Sequence, residues 1–308
     1  MLRKVLIGLF AGITLFTMPV EAKGKKNQKQ KTEQTVATEN ALLWKISGKG
    51  IKDAYLYGTI HMICKEDYSF SDNLAAAYKN TDVLALEVDL SDPSVQMQMA
   101  MGMMSTDGKT IESYFTADEF KQLDEIITNS MGVSLKQFNS FHPNFLLTVL
   151  ATSFLPCATI ESYDMNLMTM ATNDKKTLKG LESIETQLDA LKAMPADTTV
   201  KQLKDYLKHK NDNTVAASES AVELQKIVDA YKQQNLEQLY KLSYESKSFD
   251  EQSKKKLFDD RNTAWIPVML EMSKDNSVLF AVGAGHLPGK KGVINLLREA
   301  GYTVEAVK

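Results

Sequence analysis

Two stretches, YLYGTIHM at 55–62 and FAVGAGHL at 280–287, share one local design: an apolar run, a glycine, and a histidine three residues later. The chain holds four histidines, His61, His142, His209 and His286, and two of them occupy this frame. Two carboxylates have comparable surroundings: Glu87 follows VLAL and Glu182 follows TLKGL. Imidazoles and carboxylates gathered in one place can move protons in general acid–base catalysis. They can also hold a divalent ion such as Mn²⁺, Zn²⁺ or Co²⁺, whose bound water becomes the nucleophile.

Glu87 is the more informative carboxylate. Embedded in LALEVDL, it is expected to lose its water, and a lone buried carboxylate is costly unless paired or metal-bound. Burial raises its pKa toward that of a general base, and a nearby cation pulls it down. Arg261, in DDRN, is a further candidate, because a guanidinium clamps a carboxylate or an oxyanion with paired donors. Its ordinary alternative is a surface ion pair of little energetic value. His142, before Pro143, and His209, on a Lys-rich helix face, read as structural or solvated. A single histidine at a strand end is ordinarily no more than that.

The elements that must position these groups are legible in outline. LLWKIS and AYLYGTI read as strands, SDNLAAAYKN as a helix with a Ser/Asp start, and TDVLALEVDL as a buried strand. Strand, helix and strand within this length suit a parallel βαβ unit. TADEFKQLDEIITNSMG opens with a capping box, Thr116 and Glu119, and stops at Gly132. HPNFLLTVLATSFL reads as an apolar core helix, and KKTLKGLESIETQLDAL as a short strand running into a helix. The methionine-rich run QMQMAMGMM reads as a soft helix packed on a neighbour. The end returns to a strand, NSVLFAVG, a helix, GKKGVINLLREAG, and an edge strand, YTVEAV. The expected fold is α/β, mixed α+β, with a mostly parallel central sheet built from N- and C-terminal strands around a helical middle at about 92–273. Each candidate then sits at or just past the C-terminal end of a strand, where open α/β sheets bind ligands. Gly58, Gly283 and Gly285 allow the chain to turn or approach closely there.

Bulk properties bound the rest. With 36 Lys and Arg against 39 Asp and Glu, the net charge of −3 and the lack of a basic stripe argue against nucleic-acid binding. Residues 1–22 have the charged, apolar and small-residue order of a secretory signal, with cleavage after Ala22; an uncleaved membrane anchor is the alternative. Residues 23–40 are polar and Lys/Gln-rich and read as a disordered tether. Residues 41–308 form the expected single folded domain. Export to the periplasm or the medium makes a Cys64–Cys157 disulfide permissible, bracing the loop beside His61; two unpaired buried thiols are the alternative.

The motifs YLYGTIHM and FAVGAGHLPG, with LALEVDL between them, DDRNTAWIP before the second and the central GLESIETQLDAL, resemble the TraB/GumN/Tiki family over residues 41–308. The resemblance implies a fold related to erythromycin esterase and the haem-associated ChaN proteins, and it implies metal-dependent proteolysis, the activity of animal Tiki members. His61 and His286 match the two motif histidines, Glu87 the acidic strand end, and Arg261 the arginine of an Arg-Asn segment. Glu182 and Asp164 match further acidic positions and join His61, His286 and Glu87 as ligand candidates. The expectation is an exported metal-dependent hydrolase, a peptidase in one form, acting on a small molecule or peptide, with Arg261 stabilising an oxyanion. The alternatives are a non-catalytic periplasmic module binding a peptide or haem, and a metal-free esterase-like hydrolase using His61 or Glu87 as a base. A nearby Ser/His/Asp or Cys/His nucleophile pattern is not apparent.

Overall fold

Strands form where apolar residues run without a helical period, and the two most buried runs form the middle of the sheet. A computed structural model describes residues 39–214, 218–246 and 249–308. Its strands are β1 (Leu43–Ser47), β2 (Ala54–Thr59), β3 (Ile63–Cys64), β4 (Val83–Leu86), β5 (Ile160–Glu161), β6 (Thr177–Gly180), β7 (Val278–Gly283) and β8 (Thr303–Ala306). VLAL of β4 is buried throughout, as is VLFAV of β7, the composition expected of parallel strands covered on both faces. The large sheet has the order β6-β4-β7-β2-β1-β8. β6, β4, β7 and β2 run parallel, while β1 pairs antiparallel with both β2 and β8. The expected mostly parallel sheet of N- and C-terminal strands is present, with β8 on one edge.

One detail differs from the expected βαβ unit. β2 and β4 are parallel and joined through α1 (Asp72–Lys79), yet they are not neighbours, because β7 lies between them. Register places Thr59 opposite Gly283 and Leu86 opposite Ala281, so three strand ends finish nearly level.

Helices follow as α2 (Pro93–Gly102), α3 (Ala117–Met131), α4 (Asn144–Leu150), α5 (Tyr163–Asn173), α6 (Ile184–Lys192), α7 (Ala196–Asn211), α8 (Glu219–Lys232), α9 (Leu236–Ser243), α10 (Glu251–Lys254), α11 (Asp260–Asp275) and α12 (Val293–Glu299). In α3 the Thr116–Glu119 capping box is formed, and Gly132 ends the helix at φ 73°, the left-handed conformation glycine adopts without strain. α2 buries Met99 but leaves Met97 and Met101 exposed, so the methionine run packs through one side only. α10 passes through a π-helical turn, Lys255–Asp259, into α11. That wide turn sets Arg261 and Asn262 at the start of α11, where both are buried.

One hydrophobic cluster extends from Ala41 to Val304, with Trp44, Leu56, Leu84, Trp265 and Phe280 fully enclosed. Cys64 and Cys157 are joined by a disulfide, Cα to Cα 5.8 Å. The bridge adjoins the β3–β5 pairing of Ile63 with Glu161. Among the described residues, no helix is long and apolar enough to cross a membrane. The expected leader, 1–22, and nearly all of the expected tether, 23–40, lie outside the described residues.

Candidate active site

Four adjacent parallel strands deliver the four strand-end residues in one row. In sheet order they are Glu182 after β6, Glu87 after β4, His286 after β7 and His61 after β2. Gly283 marks the meeting point. A Cβ placed there would lie 3.3 Å from Glu87 Oε1, 3.6 Å from His286 Cδ2 and 3.8 Å from His61 Nε2. The two distant Gly-x-x-His segments therefore converge on one carboxylate. Gly58 serves the same closeness, since a Cβ there would meet the Ala284 backbone at 3.1 Å.

Arg261 holds the acidic half together. It is 4% exposed, which removes the surface ion-pair alternative. Its Nη2 donates to Glu87 Oε2 at 2.5 Å and to Glu182 Oε1 at 2.7 Å. Nε donates to Glu182 at 3.0 and 3.1 Å, and Nη1 contacts the Leu257 carbonyl at 3.1 Å and His286 Nε2 at 3.3 Å. A guanidinium has five N–H donors, and this set engages all of them. Trp265 Nε1 adds a bond of 3.0 Å to Glu182 Oε2.

These contacts decide the charges. Burial works to raise the Glu87 pKa, but Arg261, His286 and His61 overcome it and hold the carboxyl well below the usual range. The expectation of a base with a raised pKa therefore gives way to a persistent anion. For Glu182, burial outweighs Arg261 and the pKa rises.

Each imidazole is oriented through Nδ1. His61 Nδ1 pairs with Asp164 Oδ2 at 2.8 Å, and Thr59 Oγ1 donates to Asp164 Oδ1 at 2.8 Å. Burial disfavours the His61 cation, yet the charge and hydrogen bond of Asp164, with Glu87 behind them, lift its pKa to about 9. His286 Nδ1 lies 2.6 Å from Asn262 Oδ1, so it donates, leaving Nε2 as the acceptor facing Arg261. Burial lowers the His286 pKa to about 3; Glu87 opposes this incompletely, while Arg261 and His61 push it further down. One imidazole is thus cationic and the other neutral near pH 7. The Asn262 amide donates to the Lys291 carbonyl at 2.8 Å, which fixes which way it faces.

A cleft opens over this group, its polar floor formed by His61, Glu87, Arg261 and His286 and its apolar wall by Ile227, Leu239, Leu257 and Phe258. From sequence alone Thr59, Gln187, Asn262 and Trp265 have no assigned role in the site. Asn262 was the most findable, because it follows Arg261 directly and its amide can fix an imidazole tautomer. Thr59 and Gln187 become visible only once their partners, Asp164 and Glu87, are near in space.

The TraB/PrgY/gumN family profile matches residues 42–306. The chain belongs to this family. Among curated proteins, this TraB/PrgY/gumN member is similar to Metalloprotease TIKI2 of Xenopus tropicalis, 24% identical over 86% of this chain and 60% of that protein. It is similar also to a Metalloprotease TIKI homolog of Amphimedon queenslandica, 22% identical over 87% and 62%. Metalloprotease TIKI1 of Homo sapiens is 22% identical over 92% and 65%. The chain thus spans somewhat under two thirds of the length of these relatives. No solved structure matches.

Those names imply a metal, and the donor chemistry here suits one. His61 Nε2, His286 Nε2 and Glu87 Oε1 would be nitrogen and oxygen donors acceptable to Mn²⁺, Zn²⁺ or Co²⁺ once His61 gives up its proton and Arg261 releases His286 Nε2. Both rings are held at Nδ1 by an oxygen, the support metal-binding histidines receive. The set is wider than a closed cage: among the described residues, the group of three with donor atoms within 4.8 Å of one another is Cys64, Glu66 and Cys157. There the disulfide already occupies both sulfurs. Glu182 is sequestered by Arg261 and Trp265, and Asp164 by Thr59 and His61, so each supports a donor or its neighbour rather than facing an ion.

Proposed function

We propose that this chain is an exported metal-dependent hydrolase that acts on peptides. The observation that carries the proposal is the meeting of His61 and His286 on Glu87 at one end of the parallel sheet, beneath an open cleft. His61, His286 and Glu87 would hold one divalent ion, which supplies a Lewis acid and a water of lowered pKa. The remaining work belongs to the chain. Asp164 and Asn262 fix the two rings, and Arg261 keeps Glu87 ionised and in place. With its donors engaged in this way, Arg261 acts by positioning, and the oxyanion role expected from sequence is not retained. The apolar wall from Leu257 and Phe258 limits water around the reacting bond. Export is supported by the leader pattern of residues 1–22 and by the disulfide.

A peptide-binding module without turnover is the second reading, and the spacing of the three donors favours it. One experiment separates the two. Purified mature protein, with His61→Ala and His286→Ala beside it, is titrated calorimetrically with Mn²⁺, Zn²⁺ and Co²⁺ and then incubated with a peptide library. Wild-type binding of at least one ion, lost in both variants and accompanied by cleavage, supports the hydrolase. Equal absence of binding in all three proteins removes the metal, and binding of peptides with no cleavage under any ion favours the module.

A further inference from the structure

A second, smaller pocket adjoins the cleft. His61 and Glu87 line both spaces, so the two cavities meet at that pair. The walls of the second are largely hydrocarbon: Leu86 ends β4, Val88 and Leu90 follow it, and Met165 and Met168 come from one face of α5. Gln187 of α6 completes it. This residue is 3% exposed, and its Nε2 donates to Glu87 Oε2 at 3.0 Å. That bond fixes the amide orientation, because an ionised carboxylate only accepts. The other end, Gln187 Oε1, is buried with no hydrogen-bond partner among the described residues.

Folded chains satisfy nearly all such groups. An orphaned acceptor on a residue that lines an apolar pocket, and whose other end is bonded to Glu87, calls for a ligand with an N–H beside a hydrocarbon group. A peptide residue with an aliphatic side chain has that combination. The charged groups nearby offer a competing side chain little. Asp164 is occupied by Thr59 and His61, and Glu87 by Arg261, Gln187 and Gly283. Two methionines suit an unbranched or γ-branched occupant, since flexible thioethers adapt their shape.

The geometry points to this cavity as a subsite for a leucine- or methionine-like side chain whose own backbone N–H is donated to Gln187 Oε1. The assignment rests on the hydrolase reading in one respect, that the substrate lies across His61 and Glu87 with its other flank in the larger cleft.

The test uses the full mature chain, loaded with Mn²⁺ and also metal-free, and the probes acetyl-Ala-Leu-Ala-amide, its Asp and Lys counterparts, and the Leu peptide N-methylated at leucine. Calorimetric titration is expected to show the Leu peptide binding at least tenfold tighter than the Asp peptide. Met168→Trp, which fills the cavity, should remove that preference, and Met168→Asp should transfer it to the Lys peptide. Gln187→Met should weaken the Leu peptide about tenfold while leaving the N-methylated peptide, which has no N–H to donate, bound equally by both proteins. Equal affinity for the Leu and Asp peptides, binding of neither, or a Leu preference unmoved in both Met168 variants would overturn the assignment. A preserved Leu preference with no cleavage under any metal would remove the hydrolase and keep the subsite; cleavage indifferent to the side chain would do the reverse.

Discussion

At the scale of single residues, the site is organised around a buried cation. Arg261 serves two carboxylates and one imidazole, so its loss strands charges that cannot reach water. Removing one partner of a buried pair costs about 3–5 kcal/mol. Arg261→Gln should therefore lower unfolding free energy by roughly that amount in urea titration, and Arg261→Lys should fall between, having charge without the planar fork. A smaller change than about 1 kcal/mol for Arg261→Gln would contradict the burial of the pair. The two histidines make opposite pH signatures in chelated protein. For His61 the folded pKa of about 9 lies above the ordinary value of 6.5, so its stabilisation is complete below pH 6.5 and disappears as pH rises through 9. The wild type's advantage over His61→Gln in thermal unfolding should shrink by up to about 3 kcal/mol between pH 6.5 and 9.5; a constant difference would mean that Asp164 does not hold the proton there. His61, Glu87, Glu182 and His286 were legible as apolar runs ending in a polar group. Their charge states were not, because Glu87 is set by a guanidinium 174 residues away in sequence.

Among the elements, the short ones matter most to the site. β3 and β5 are two residues each, and the disulfide ties the segments that carry them. His61 precedes β3 and Asp164 follows β5, so the bridge keeps the ring and its carboxylate in register. Cys64→Ser with Cys157→Ser opens a loop spanning 93 residues of sequence, and removing such a link typically costs about 2–4 kcal/mol. Metal affinity measured by calorimetry should fall with it, and an unchanged affinity would mean that the bridge does not position His61. The capping box of α3 and its glycine stop were readable because the signals are local. The β3–β5 pair and the π turn before Arg261 were not, since two-residue strands carry no periodicity and KKLFD, which buries Leu257 and Phe258 in the turn, has no local signal that sets it apart from an ordinary helix.

Across the whole molecule, the mostly parallel sheet and the helical middle were foreseeable from where the apolar runs fall. The strand order was not: nothing local says that β7 inserts between β4 and β2 rather than adding at an edge. A chain ending at residue 276 should therefore lose far more than one strand. β2 and β4 would face each other across a gap with unpaired edges, and near-ultraviolet circular dichroism should show no fixed aromatic environment; a native-like spectrum would mean that the sheet closes without its middle.

That placement has a temporal meaning. The ribosome makes the keystone strand, from Val278, 192 residues after β4 ends at Leu86, so β2 and β4 wait, uncoupled, while that whole stretch is translated. Until then the second imidazole is absent and the first has no neighbour to share Glu87 with. Whatever the finished pocket does, a product stopped before β7 lacks one of its imidazoles, so the order of synthesis itself keeps the site from being assembled early.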